Sequence, residues 1–447
     1  MTTDDGGLRV RRCKYDGGIG DSMAAEIKIY QGDQIGGCIT VISTKKTKIV
    51  IDFGESLPGS GDGTNIDFDW KKERVDAVFF THYHGDHIGR LMEIPDDVPL
   101  YMGEVTYRVL LNFREALHHE AVVNKLQSRR ANGSLHFVER AQPVRINEDI
   151  IVTGYQVDHS AYDAYMYLVE ADGTNILHTG DFRDHGHRGY VKKRGVAKDV
   201  MREVIRKYVK KNGRQVDVLI IEGTMMNAGT GKKPFSEKEL LTWAKDYFRE
   251  HRHIFLKISS TNVDSLASFY QAARANRIPV YANGYVLKQF AVYHSAGRKY
   301  GTHLYDFTGV KQIRFFSDRE DEDNTGTYKM LDEMRKNGFV MIVSEYPHYE
   351  QLMDALADCE PEMIYSMWGG YIDPDRGAAY NEPLARFCEK YHAFIKHAGG
   401  HASRELITKV INEVHPTREI RPIHTENAAG FLELDIPEEL KERIRIE

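Results

Sequence analysis

The hydrophobic positions of the chain change their rhythm partway along it. Between residues 25 and 80 they come in short runs rich in Ile, Val and Phe, separated by Gly, Asp and Lys: AEIKIY (25–30), CITVIST (38–44), KIVIDF (48–53) and DAVFF (76–80). Runs of this length and composition predict strands, and their close spacing predicts an antiparallel sheet built from hairpins. Helical periodicity covers about 104–128, after which strands return at IIVTGYQV (150–157), AYMYLVE (164–170) and TNILHTG (174–180). Beyond about residue 225 the texture changes. Helices near 236–250, 262–276, 348–357 and 379–392 alternate with the apolar strands HIFLKI (253–258), PVYA (279–282), FVMIVS (339–344) and EMIYS (362–366), the βαβ rhythm of a parallel sheet. A helix near 400 and the strand EIRPI follow.

At 447 residues, 41% hydrophobic and 28% charged, the chain has ordinary globular composition, which excludes intrinsic disorder and predicts roughly two or three domains. No run approaches the ~18 apolar residues of a membrane span, and the polar start MTTDDGGLRVRRCKYDGG lacks the core of a secretory signal. A cytoplasmic protein with no membrane partner is expected. Cys13, Cys38, Cys359 and Cys388 are too scattered for a disulfide framework and form no C-x-x-C pair, which fits a reducing compartment. A net charge of −6 argues against a broad basic coat for nucleic acid but leaves room for a local basic channel.

The densest chemistry follows the strand DAVFF. There THYHGDHIGRL sets His82, His84, Asp86 and His87 within six positions. Imidazole nitrogens with a carboxylate are the donor set of Zn(II), and next of Mn(II) or Fe(II). Four such side chains exceed what one metal with an open water position uses, so two ions are expected, with further ligands downstream. Candidates stand at the ends of predicted strands: His159 in QVDHSAYDAY, Asp181 in LHTGDFRDHG and His424 in IRPIHTEN.

H-x-H-x-D-H after a strand, the earlier Asp52 closing KIVIDFG, then VDHS, HTGDFR and a late strand-end His together resemble the metallo-β-lactamase superfamily of αββα sandwiches. By matching position, the resemblance implies that His82, His84 and His159 hold one metal and Asp86, His87 and His424 a second, with Asp181 bridging. Asp52 matches the family's first motif, where a carboxylate orients ligands by hydrogen bonds. His178 is expected to be structural. His118 and His119, adjacent on a predicted helix, cannot face one ligand together and are expected at a surface or interface.

The second half narrows the resemblance to the β-CASP branch, which includes ribonuclease J and the RNA 3′-end processing endonucleases. VDVLIIEGTMM brings Glu222, a long α/β stretch follows, and HAGGHAS brings His401, 23 residues before His424. These positions resemble motifs A, B and C of that branch. The implied architecture is a metallo-β-lactamase αββα sandwich made of residues 1–225 and 396–447, with an inserted α/β β-CASP domain at 226–395.

Such a site suits hydrolysis of a phosphodiester: two Zn(II), or Mn(II), would generate a metal-bound hydroxide and neutralise charge on the attacked phosphate. The leaving alkoxide needs a proton, for which the non-ligand His401 is the candidate, with Glu222 expected to hydrogen-bond it and keep it protonated. Catalysis is thus expected to depend on His401, Glu222, Asp86 and Asp52. Backbone amides and the Ser403 hydroxyl in GHAS, and Ser259 and Ser260 in KISSTNVDSL, precede predicted helices and suit a phosphate, although plain helix capping suits them too. The basic run Arg188, Lys192, Lys193 and Arg194 either flanks the metal mouth and attracts a polyanion or is a solvated loop.

The expected activity is therefore that of a dinuclear ribonuclease, exo- or endonucleolytic, on single-stranded RNA, with a homodimer left open. A hydrolase of a small ester, thioester, lactone or nucleotide is the alternative, and a non-catalytic RNA-binding subunit is a third. The sequence also departs from ribonuclease J. It ends 23 residues after His424, leaving no room for the further C-terminal domain used there in dimer assembly, and it has HTEN where H-G-E is usual. YPHYEQ follows FVMIVS in place of a serine-rich stretch, which leaves a 5′-monophosphate pocket undecided.

Overall fold

The computed structural model describes residues 25–57, 68–188, 190–193, 196–199, 205–206, 213–228, 233–299, 301–317 and 323–446. Six strands, β1 (Glu26–Tyr30), β2 (Ile39–Ser43), β3 (Lys48–Ile51), β4 (Ala77–Phe79), β5 (Leu100–Met102) and β6 (Leu135–Phe137), form a first sheet in sequence order. Only β1, β2 and β3 pair antiparallel; β3 with β4, β4 with β5 and β5 with β6 are parallel. The expectation of a hairpin-built antiparallel sheet is therefore corrected for half of it. Parallel neighbours need a long crossover, which between β5 and β6 is supplied by two helices, α1 (Glu104–Ala116) and α2 (Glu120–Ala131). The chain turns between these helices, and His118 has a left-handed φ of 56°, so His118 and His119 lie in a turn and not on one helix.

A second sheet holds β7 (Pro143–Ile146), β8 (Ile150–Gln156), β9 (Tyr165–Ala171) and β10 (Thr174–His178). After a separate two-stranded ribbon, β11 (Tyr190–Lys193) with β12 (Val196–Asp199), it gains β13 (Val218–Glu222). Its outer strand, β20 (Glu419–Ile423), pairs parallel with β13 although it comes from near the chain's end. The two sheets pack face to face. Ile42, Ile49, Ile51 and Phe79 of the first meet Val152, Tyr167, Ile176 and Ile220 of the second in one buried core.

Helices cover both outer faces. Leu110 of α1 and Leu126 of α2 pack on Val50, Val78 and Leu100. Across the second sheet, the helix Arg404–Val414 buries Leu406, Ile407, Val410, Ile411 and Val414 against Leu168, Leu219 and Ile420. This apolar stripe recurs every three to four residues, as a helix on a sheet requires, and each such side chain contributes roughly 1.5–3 kcal/mol on full burial. The result is a four-layer helix–sheet–sheet–helix sandwich.

Between β13 and β20 runs a third, parallel sheet: β14 (His253–Ile258), β15 (Val280–Ala282), β16 (Lys311–Gln312), β17 (Phe339–Ile342), β18 (Glu362–Ser366) and β19 (Phe394–Ile395), in the order β16-β15-β17-β14-β18-β19. The expected helices near 236–250, 262–276, 348–357 and 379–392 are found as α3 (Glu237–Glu250), α4 (Val263–Ala275), α7 (Pro347–Ala355) and α8 (Glu382–Lys390), joined by two the periodicity does not announce, α5 (Gly284–Lys299) and α6 (Thr325–Asn337). Ser236 opens α3 with a reciprocal capping box to Glu239. The helix α4 is buried along most of its length, and its small residues Ala267, Ala272 and Ala273 let it pack closely while Asp264, Ser265 and Ser268 are buried near its start. We label the helix Arg404–Val414 α9. Among the described residues no helix is long and apolar enough to cross a membrane.

Candidate metal centre

His82, His159, Asp181 and His424 stand just beyond the ends of sandwich strands, His84, Asp86 and His87 follow on the loop and short helix Gly85–Ile88 after β4, and the fold gathers all seven. The ligand atoms of His82, His84 and His159 lie within 4.8 Å of one another, as do those of Asp86, His87, Asp181 and His424. In the first group His84 offers Nδ1, which is 2.9 Å from His82 Nε2 and 3.2 Å from His159 Nε2. In the second, Asp86 Oδ2 is 3.1 Å from His424 Nε2 and 3.6 Å from His87 Nε2. Asp181 joins them. Its Oδ2 is 3.1 Å from His87 Nε2 and 3.9 Å from both His82 Nε2 and His159 Nε2.

The remote nitrogens show why these rings point inward. His82 Nδ1 lies 3.0 Å from the Thr81 hydroxyl, His159 Nδ1 2.7 Å from the Gly400 carbonyl, His87 Nδ1 2.8 Å from Asp52 and His424 Nδ1 2.8 Å from the Thr224 hydroxyl. Each partner leaves Nε2 directed at the cluster, the arrangement by which outer groups orient metal-binding histidines. Asp52 is more than a strand-end cap: it also accepts the Thr81 N–H and hydroxyl, both at 2.7 Å. It does so from a left-handed backbone, φ 61°, as does His424 at φ 53°, a conformation that Asp and His tolerate better than most residues.

The electrostatics fit a cation. Burial holds His82 and His159 well below the usual histidine pKa and pushes His84 down to about 4, so these rings are neutral, the form that binds metal. Burial acts in the same direction on His87, but Asp181, Asp86 and Asp52 outweigh it and keep that ring protonated. In the metal-free chain this proton compensates buried carboxylates, and metal binding at His87 would release it. The donor set, the neutral imidazoles and the carboxylate excess all suit two divalent ions.

A third group, Asp181, Glu222 and His401, adjoins the same carboxylate. His401 Nδ1 stands 3.4 Å from Glu222 Oε2 and 3.6 Å from Asp181 Oδ2, with no directed hydrogen bond to either. The expected Glu222–His401 pair is thus in place as a charge contact within hydrogen-bond reach, its geometry short of a well-directed bond. Backbone amides occupy the Glu222 carboxylate instead: Phe182 and Ala402 donate to Oε1 and Thr224 to Oε2. Burial would lower the His401 pKa, but Glu222 and then Asp181 lift it to about 9. A bound cation would offset the contribution of Asp181, while that of Glu222 would remain.

Other expectations divide. His178 is structural, with Nε2 3.2 Å from the Thr40 hydroxyl of the facing sheet and Nδ1 accepting the Gly180 N–H. The Ser403 hydroxyl caps α9 by accepting the Leu406 N–H. Ser259 and Ser260 are not caps, since Asn262 caps α4; their hydroxyls lie 2.7 Å from those of Thr261 and Tyr285. Arg188 does not sit in a solvated loop. It points inward, donating to the backbone carbonyls of His159, Ala161 and Tyr162 and lying 3.7 Å from Asp264. The side chains of Lys192 and Lys193, and all of Arg194, lie outside the described residues, as does Cys13.

Gly54 is required by proximity. A Cβ there would fall 1.7 Å from the Asp86 carbonyl oxygen, in the loop where Phe53 N–H donates to His87 O and Gly37 N–H to Asp86 O. Backbone cannot yield as a flexible side chain does. Gly54→Ala is expected to cost about 1–3 kcal/mol in a thermal or urea melt and to weaken metal binding at Asp86 and His87. An unchanged melt with full metal content would contradict the packing described.

Residues 48–246 match the model of the beta-lactamase superfamily domain. A ribonuclease J of Helicobacter pylori is 31% identical over 162 residues, 34% of this chain and 22% of that protein. The DNA cross-link repair 1A protein of Homo sapiens is 28% identical over 162 residues, 35% of this chain and 13% of its own. These alignments thus span less than a quarter of either relative. A solved structure of a protein of unknown function from Enterococcus faecalis V583 superposes with a TM-score of 0.59 over 95% of this chain and 97% of its own, at 18% identity, a likeness of fold. With every expected ligand but His424 inside the matched stretch, residues 48–246 carry a beta-lactamase superfamily domain, and part of the chain is similar to a ribonuclease J and to a DNA cross-link repair protein.

Proposed function

We propose that the protein is a dinuclear metal-dependent phosphodiesterase, a ribonuclease acting on single-stranded RNA in the cytoplasm. In this reading residues 226–395 are a β-CASP insert, and residues 1–225 and 396–447 make up the metallo-β-lactamase domain. The observation that carries the reading is Asp181, whose one oxygen is shared between the three-histidine group, the Asp86–His87–His424 group and His401. His82, His84 and His159 would hold one ion and Asp86, His87 and His424 the other, with Asp181 between them, as Zn(II) or Mn(II). When bound, the ions supply a water of lowered pKa and neutralise charge gathering on the attacked phosphate.

The chain's own residues do the rest. Asp52, Thr81, Thr224 and the Gly400 carbonyl fix the rings and their tautomers. His401, a quarter exposed beside the fully buried Glu222, keeps a proton at neutral pH and delivers it to the departing ribose oxygen. Glu222 supplies the charge that retains this proton and, through three amides, holds the loops of Asp181 and His401 together. Ser403, Ser259 and Ser260, at the turns before α9 and α4, contact the phosphates that flank the cut.

The test is a substrate panel offered to zinc- or manganese-loaded protein: single-stranded RNA with and without a 5′ monophosphate, single-stranded DNA of the same sequence, and a small chromogenic ester and lactone. Metal-dependent cleavage of RNA is expected. Hydrolysis of the ester or lactone with RNA left intact would overturn the substrate class, and cleavage of DNA alone would overturn the sugar preference.

A further inference from the structure

The ligands of the two expected ions are held by different parts of the molecule. Hydrogen bonds around Asp86, His87 and His424 stay within the sandwich, running to Asp52, Thr81, Thr224 and the backbone at Gly37 and Phe53. His82 shares the Thr81 hydroxyl with His87, but the residues beside His82, His84, His159 and Asp181 also reach out of the sandwich, to one turn of the inserted sheet domain, Thr261–Asp264 at the start of α4.

Three contacts make this link. Tyr83, between His82 and His84, donates its hydroxyl to the Thr261 carbonyl at 2.8 Å and accepts the Tyr162 N–H at 2.9 Å. Arg188 reaches back to the carbonyls after His159 while lying 3.7 Å from Asp264. Arg183, two residues after Asp181, makes the fullest set. Its guanidinium donates to Asp264 Oδ2 at 2.8 Å and to the Gly399 carbonyl at 2.7 Å, with Nε 3.5 Å from Asp158 Oδ1. Asp158 precedes His159, and Gly399 precedes the Gly400 carbonyl that orients His159. One planar group thus fixes the loops of His159, Asp181 and His401 against the insert.

Arg183, Asp158, Asp264 and the nearby Glu237 are all buried, and Tyr305 donates to Asp264 Oδ1 at 2.6 Å. Apolar side chains of the same volume would stabilise such an interface at least as well as buried ions do. What the fork of Arg183 adds is direction, since its donors match a carboxylate only in a fixed geometry. We infer that Arg183 is a positioning residue through which the inserted domain, at Asp264, sets the His82–His84–His159 metal position more strongly than the Asp86–His87–His424 position, which it reaches only through the shared Asp181. The inference rests on the dinuclear reading above.

The test compares full-length wild type with Asp264→Asn and Arg183→Lys, and with Lys311→Ala, a break in an exposed ion pair to Glu333, as control. Each is titrated with Co(II), followed by its visible spectrum, and assayed on RNA well below its melting temperature. Both interface variants are expected to bind one equivalent about 10-fold or more weaker than wild type and the other with a distinctly smaller loss, with an altered spectrum. The kcat is expected to fall by a similar factor while KM stays within about threefold. If Asp264→Asn does not fold, Arg183→Lys, which retains the charge, decides. Folded variants with the wild-type spectrum and both equivalents unchanged would make the cluster merely structural and overturn the inference, as would equal weakening of both equivalents. If wild type binds two Co(II) yet leaves RNA intact, the nuclease reading falls while the titrations still decide this one.

Discussion

Replacing Asp181 with Asn is expected to remove hydrolysis and to leave no more than one metal per chain after dialysis. Asp181 Oδ2 is the closest anionic partner of His87 Nε2 and lies equally far from His82 and His159, so it is the atom the two positions share. An amide offers one neutral oxygen in place of a carboxylate. It can neither balance a second cation nor accept from two sides with charge. A metal contributes several kcal/mol of charge stabilisation in the transition state, and about 1.4 kcal/mol is tenfold in rate, so a loss of about 10³-fold or more follows. Metal analysis with initial rates on RNA measures both. Full activity with two metals retained would mean that Asp181 bridges nothing.

His401→Ala should separate catalysis from metal binding. His401 adjoins Asp181 but belongs to neither ligand group, and its side chain is 25% exposed where Asp181 is 2% exposed. Two metals per chain are therefore expected to remain, while kcat on RNA falls about 10²–10⁴-fold, the usual worth of a positioned proton donor. A substrate whose leaving group is a stabilised phenolate departs without a proton. On such a phosphodiester the variant is expected to retain most of the wild-type rate. An equal loss on both substrates would make His401 an orienting or binding residue and not the acid.

The candidate ligand set is legible in the sequence because each member sits in a short contiguous motif that follows a strand, and the fold brings these motifs together. The groups that aim those ligands are not. Thr81, Thr224 and the Gly400 carbonyl lie inside the motifs THYHGDH, IIEGTMM and AGGHAS, yet as hydroxyls and backbone of no distinctive type they do not show which ring each will orient before the strands are assembled. Arg183 lies inside the conspicuous HTGDFR, yet its partners Asp158, Glu237 and Asp264 come from three distant stretches, and pairing across such distances belongs to the tertiary fold. Arg188 shows the same limit from the other side: a run of positive charge carries no information on which member turns inward. Four strands of the first sheet are legible in the sequence, while β5 and β6, three residues each, are too short to announce themselves, and strand pattern alone does not reveal that β4 pairs parallel with β3. Between β13 and β20 the alternation of helix and strand is clear in the sequence, while α5 is hidden by weak amphipathicity and by Gly284 and Gly297, and α6 carries Gly326 in its first turn.

The central claim is that the two ligand groups form one working centre. The most direct measurement is cleavage of 5′-labelled single-stranded RNA by metal-free protein to which Zn(II) or Mn(II) is returned in measured equivalents. The account predicts no cleavage without metal, little at one equivalent and a plateau at two. Full activity at one equivalent, or activity that persists in a chelator, would contradict it.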